Sequence, residues 1–401
     1  MKPLLRSLAF VFLSTLAGPT AWADPFPIKH ADLWVMVGDS ITAQRLHTVY
    51  FEAYCQTRFP QHHLRFRNSG VGGDTIPRAL NRFPWDVQDW GPTVISVELG
   101  MNDSGAGPDS TAQFIDQMKE MLRRIRDTHA RPVLLAPSPV NDGTTSPSLE
   151  GRNVTLDRYS TALGALAGER GLPWADQFHA LLDRWGSNKD VSLGGNPVHP
   201  GPTGQLMMAA ALLMELNAPS QVSSAVFDAE TKTLVDAQRC DISRLSFSAG
   251  RVRFERLDAT LPMPIPTAAA DALKLMPEIL TLSDYTLTVK NLSPGQYAVK
   301  IDGETVATLD AQTLAEGFNL TPLTAGAIAR QCQRVVEMIH EKDELVQDAR
   351  DSQKQLLADP GNEELQRKLG DMPRKIQVGD QTIHAGVQPL PHRFEIVPVS
   401  P

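Results

Sequence analysis

An α/β fold, a parallel sheet covered by helices on both faces, is predicted by two observations. Between Asp24 and about Ala218, short apolar runs alternate with segments of helical length and pattern, the signature of strands joined by crossover helices. Several of those runs also end in glycine-, serine- or asparagine-containing turns. In an open α/β sheet that edge, outside the carboxyl ends of the strands, is where ligands sit.

The strand candidates are Leu33–Val37, Leu64–Arg67, Val94–Leu99, Val133–Ala136 and Pro173–Ala175. Each is an apolar run of strand length bounded by turn residues. Helices are expected near Thr42–Arg58, Ser110–His129, Asn153–Arg170 and Thr203–Leu216. All six tryptophans precede Gly186 and only Trp22 lies in the first 23 residues, so the aromatic-rich core belongs to this region.

After Asn217-Ala218-Pro219-Ser220 the pattern changes. Val226 to Val289 is rich in short alternating runs such as Val252-Arg253-Phe254 and Tyr285-Thr286-Leu287-Thr288-Val289, which read as strands. Ser293-Pro294-Gly295 and Asp302-Gly303 are turn signals, Asp-Gly being a hairpin cue. The proline cluster from Leu261 to Pro266 is a connector. From Thr324 to about Leu369 apolar residues recur at helical spacing, with Asp359-Pro360-Gly361 as an interruption. This helix either packs across the first unit or receives a partner. The tail from Ile376 to Pro401 is strand-like. The expected units are 1–23, 24–218, a β-rich accessory region 219–321, and a long helix with its tail, 322–401.

The 401 residues exceed one ordinary core, and 42% hydrophobic against 21% charged residues leaves ample material for burial. A net charge of −8 argues against nucleic acid or an anionic membrane as main partner. Met1 to Ala23 has a basic start at Lys2 and Arg6, an apolar middle from Leu8 to Leu16, and Ala21-Trp22-Ala23 as a small-residue cleavage site. It reads as a signal peptide, too short in its apolar run to span a bilayer, so a secreted or periplasmic location without later membrane insertion is expected. Cys55, Cys240 and Cys332 are too few for a disulfide scaffold; one pair among them remains open.

Four short motifs carry chemistry. Gly38-Asp39-Ser40 follows the first strand, and Gly70-Val71-Gly72-Gly73-Asp74-Thr75 follows the second. Gly100-Met101-Asn102-Asp103 follows the third, and Asn196-Pro197-Val198-His199-Pro200 precedes the last helix of the unit. Glycine-rich turns present unobstructed N–H groups. The absence of GxGxxG and of a GK[ST] ending removes the dinucleotide and P-loop readings. His199 stands out among ten histidines because its loop can lean over the sheet edge.

In this order the motifs resemble those of the SGNH (GDSL-type) esterase and lipase family over about Leu33 to Leu216. The wording is most like that of secreted bacterial members acting on carbohydrate. The resemblance implies a three-layer flavodoxin-like domain with Ser40 as nucleophile and His199 as general base. It also implies an oxyanion hole from the Ser40 and Gly73 N–H groups and the Asn102 side chain, with no metal or organic cofactor. The substrate expected is a small or glycan ester, cleaved through an acyl-serine. The GxSxG elbow of the α/β-hydrolases is absent around Ser40.

One position departs from the family pattern: Asn196 stands where an aspartate normally orients the histidine. Three explanations stand open: another carboxylate replaces it, Asp190 being nearest upstream; Asn196 or a backbone carbonyl suffices; or catalysis is weakened. The alternative function is therefore a weakened or inactive module of this fold that binds envelope carbohydrate.

Overall fold

Strand β1 (Leu33–Gly38) is buried along its whole length in the interior of the first sheet. In this computed structural model, residues 26–141, 149, 151–185 and 193–399 are described. The leader read in residues 1–23 and Asp190 lie outside them. Strands β2 (Arg65–Gly70), β3 (Val94–Glu98), β4 (Arg131–Leu135) and β5 (Trp174–Ala175) pair in parallel in the order β2-β1-β3-β4-β5. This is the flavodoxin-like order, whose direction of winding reverses between β1 and β3 and opens a crevice at their carboxyl ends.

Side chains alternate across β1. Trp34 and Met36 pack into one core with helices α2 (His47–Arg58) and α7 (Pro202–Glu215). Leu33, Val35 and Val37 pack into the other with α3 (Ile76–Asp86), α4 (Thr111–Asp127) and α5 (Arg152–Arg170). Two short helices, α1 (Ser40–Ala43) and α6 (Gln177–Leu182), complete the layers. The single helix expected over Thr42–Arg58 is broken, because Arg45 adopts a left-handed φ of 56° between α1 and α2. Helix α3 escapes sequence reading because Pro84 lies inside it and disguises an otherwise amphipathic segment.

The β-rich region forms two sheets, β13-β10-β6-β7 and β12-β11-β14-β9-β8. Their strands are β6 (Gln221–Asp228), β7 (Thr233–Gln238), β8 (Cys240–Ser248), β9 (Arg251–Asp258), β10 (Asp284–Lys290), β11 (Gln296–Ile301), β12 (Glu304–Asp310), β13 (Phe318–Asn319) and β14 (His392–Pro398). The sheets share a core in which Phe227, Phe254 and Phe394 stack. Asp302 and Gly303, both with positive φ, join β11 to β12 as a two-residue hairpin turn. Helices α8 (Ala272–Leu275) and α9 (Ala311–Glu316) lie in the connections.

Helices α10 (Ala327–Ala358) and α11 (Glu363–Gly386) flank the break at Asp359-Pro360-Gly361. The strand-like reading from Ile376 onward is corrected: the chain is helical to Gly386, and only β14 is strand. Met372, Ile376, Asp380 and Ile383 are buried at three- and four-residue spacing, a helical face that the interior Pro373 obscured. Helix α10 lies across α2 and β2. The buried Lys342 ammonium donates to Glu52 Oε2 at 2.7 Å and to the Phe66 carbonyl at 3.2 Å. Arg67 makes a two-pronged bond to Asp380 of α11, at 2.9 and 2.7 Å. Among the described residues no helix is long and apolar enough to cross a membrane, and Cys55, Cys240 and Cys332 are unpaired.

Candidate active site

Ser40 is the first residue of α1, directly beyond β1. A Cβ on Gly38 would meet Thr42 Oγ1 at 1.9 Å, so only glycine lets the chain turn this tightly from strand into helix. The turn is held by Asp39, whose Oδ1 accepts from the Ile41 N–H at 2.9 Å. Burial pushes the Asp39 carboxyl up to about 7. Ser40 Oγ lies 2.7 Å from His199 Nε2, across 159 residues of sequence.

The Asn196 side chain decides which nitrogen of His199 faces Ser40. Its Oδ1 accepts from the backbone N–H groups of Val198 and His199, at 3.0 and 2.9 Å. Those donors require the oxygen, not the NH₂, to point into the turn. His199 Nδ1, 3.3 Å from the same oxygen, therefore carries the proton, and the Nε2 lone pair is free to accept from the serine hydroxyl. That is the tautomer a general base needs.

The oxyanion donors predicted from sequence lie on the strand ends flanking Ser40. Gly73, beyond β2, has a φ of +75°, which directs its backbone as a side-chain-bearing residue would not without strain. Neither the Ser40 nor the Gly73 N–H has a hydrogen-bond partner among the described residues. Asn102, beyond β3, donates one amide hydrogen to the Asp74 carbonyl at 2.9 Å, leaving the other for a ligand. Arg152 holds the Met101 carbonyl at 2.7 Å and so pins this loop. A hydroxyl, an imidazole and amide donors thus share one rim of the sheet, as attack on a carbonyl requires.

Residues unremarked in the sequence hold this rim together. Arg82 of α3 donates to the Gly38 and Ser69 carbonyls at 3.3 and 2.8 Å and pairs with Asp74 and Asp86. From α10, Arg350 reaches the Gly70 carbonyl at 3.1 Å and Asp86 at 2.5 and 2.8 Å. A second buried group corrects the reading that no other histidine has a comparable setting. His47 Nε2 lies 2.9 Å from Glu98 Oε2, and Nδ1 lies 2.7 Å from Gln205 Oε1.

The Gln205 oxygen also accepts from the His47 N–H at 2.9 Å, while its NH₂ donates to Gln44 at 2.7 Å and to the Pro200 carbonyl at 3.3 Å. Both His47 nitrogens face acceptors, an arrangement that favours the charged ring. Burial works to lower its pKa, but the Glu98 carboxylate outweighs burial and holds it above the ordinary value. Through Gln205 this pair ties β3 to the loop bearing His199. The legible signal was Glu98, a carboxylate at the end of an apolar strand, which needs a partner when buried. Among the described residues no group of three or more His, Cys, Asp or Glu side chains is arranged to hold a metal ion.

Asn196→Asp is expected to raise kcat roughly five- to tenfold, because a unit charge about 4 Å from an imidazolium in water is worth about 1 kcal/mol. The gain stays modest because the tautomer is already correct, so the ~10⁴-fold penalty of a misdirected amide in serine proteases does not arise. The new carboxylate favours the imidazolium, so the acidic limb of the pH–rate profile should move to higher pH. An unchanged kcat and profile would show that this position does not act on His199.

Residues 36–206 match the GDSL-like Lipase/Acylhydrolase family. An acetylxylan esterase from Geobacillus stearothermophilus is 22% identical over 180 residues, covering 42% of this chain and 80% of its own length. A solved structure of a gut microbial diltiazem-metabolizing enzyme superposes with a TM-score of 0.82 at 22% identity, covering 93% of this chain and 99% of its own. That likeness of fold runs through the β-rich region and both long helices. Residues 36–206, which hold the flavodoxin-like sheet and its helices, are therefore the part of the chain that is similar to the GDSL-like lipase/acylhydrolase family.

Proposed function

We propose that this protein is a serine esterase that removes short acyl groups, acetyl foremost, from a carbohydrate outside the cytoplasm. The observation that carries the reading is the 2.7 Å contact between Ser40 Oγ and a correctly oriented His199 Nε2. In the first step Ser40 Oγ forms a bond to the ester carbonyl carbon and its proton passes to His199 Nε2. Negative charge gathers on the carbonyl oxygen, where the Ser40 and Gly73 N–H groups and the free Asn102 amide hydrogen converge.

The C–O bond to the sugar then breaks, and His199 returns the proton to the leaving alcohol. Water attacks the acyl-serine by the same route, releasing acetate and restoring Ser40. The similarity to an acetylxylan esterase supports the substrate class, and the leader-like residues 1–23 support export.

The test is incubation of the purified protein with acetylated xylo-oligosaccharides and short aryl esters, following acetate and the mass of the Ser40 peptide after an acid quench. Acetate release with one acetyl group on that peptide is the expected result. No turnover of either ester class and no adduct would sink the proposal. The second reading, a carbohydrate-binding module with weakened catalysis, is favoured by the neutral, exposed Asn196. It predicts glycan binding with hydrolysis too slow to deplete the substrate.

A further inference from the structure

We propose that the cleft between the Asn102 loop and α4 is the subsite that takes the free hydroxyl groups of the sugar bearing the ester, an assignment that rests on the esterase reading above. The cleft measures about 260 Å³, and its polar wall is formed by Thr75, Asn102, Asp103, Gln113 and Gln117. Asn102 borders both this cleft and the oxyanion rim, so a ligand here is continuous with the carbonyl held beside Ser40.

Three features set the chemistry of the occupant. First, Asp103 Oδ1 accepts from the Ile76 N–H at 3.1 Å, but Oδ2 is buried with no partner among the described residues. As a residue lining the cleft, Asp103 offers acceptor oxygens suited to a hydroxyl donor. Second, Gln113 and Gln117 stand one turn apart on α4, so both amides line the same wall. Each can donate to one hydroxyl and accept from another. Third, Phe114 and Tyr159 stack at 3.8 Å with an interplanar angle of 2°. The Tyr159 hydroxyl is held by Ser110 Oγ at 2.5 Å and the Asp103 carbonyl at 3.2 Å, which makes this boundary rigid.

An acetyl methyl group can use none of these donors and acceptors, and a long acyl chain would strand them unpaired. The cleft therefore serves the alcohol side of the ester. Its volume lies just below the usual range of ligand sites, which fits no more than a single sugar unit beside the scissile bond.

The experiment compares kcat/KM for an acetylated xylo-oligosaccharide and for 4-nitrophenyl acetate in wild type, Gln113→Ala, Gln117→Leu and the double variant, with melting temperatures as a control on folding. The double variant should lose about tenfold on the sugar ester, mainly through KM, by forfeiting hydrogen bonds to hydroxyls. Its rate on the aryl ester, which has no hydroxyls, should stay within about twofold. An equal fall on both esters, or an unchanged sugar-ester rate, would overturn the subsite while leaving the esterase intact. A wild type inactive on both esters would overturn the esterase reading and the subsite with it.

Discussion

Ser40→Ala is expected to lower kcat/KM on a short aryl acetate by roughly 10⁴- to 10⁶-fold, the range seen when a serine nucleophile is removed. The hydroxyl lies 2.7 Å from His199 Nε2, and without it the imidazole can only activate water that no covalent step has positioned. The backbone N–H groups and the Asn102 amide remain, so a small residual rate over uncatalysed hydrolysis should persist. Ser40 is half-buried and, among the described residues, its side chain bonds only to His199, so the melting temperature should change little. Initial rates at matched protein concentration, with circular dichroism to verify the fold, make the measurement. A variant that turns over at the wild-type rate would remove Ser40 from the reaction.

The second large effect is on stability. Asp86 is fully buried and accepts from Ser69 Oγ at 3.0 Å, from Arg82, and twice from Arg350. Asp86→Ala would leave the Arg350 guanidinium buried without a carboxylate and Arg82 with Asp74 alone, and breaking a buried ion pair in this way costs about 3–5 kcal/mol. The same arginines hold the Gly38, Ser69 and Gly70 carbonyls, at the ends of the strands that carry Ser40 and Gly73. Activity should therefore fall in the fraction that remains folded, and the urea midpoint should drop. The conservative Asp86→Asn keeps the shape and two acceptor lone pairs on one oxygen, so its loss should be smaller. An unchanged midpoint in Asp86→Ala would show that these charges are solvated and not interdependent.

The arrangement gives α10 a part in bracing the candidate site although it lies some 280 residues from the motif it supports. Arg350 and Lys342 insert between α10 and the first sheet, and Arg67 joins that sheet to α11. Each is a buried cation matched to a carboxylate from another segment. A helix that seats its charges this way fixes the glycine-rich turn after β2 more firmly than a loop covered only by water.

Much of this was legible along the chain. Short apolar runs ending at Gly38-Asp39-Ser40 and Gly100-Met101-Asn102 announced buried strands with functional turns, because a parallel sheet hides both faces and spares only its edge for polar groups. The Asp302-Gly303 hairpin was equally local. Helix α11 was not, because Pro373 masks a periodicity whose buried face has meaning only against α10. Nor was His47, an unremarkable residue until the fold sets it beside Glu98 and Gln205.

By itself the sequence determined the class of fold, the four chemical motifs and their order, since these depend on periodicity, turn geometry and residue type within a few positions. Tertiary structure alone decided that Ser40 and His199 meet, that the Asn196 oxygen faces the ring, and that Arg82 and Arg350 brace the rim. Those outcomes depend on atoms brought to 2.7–3.1 Å of one another across up to 280 residues. Hydrogen bonds and buried charges act at that distance, and no local pattern records which distant partners will satisfy them.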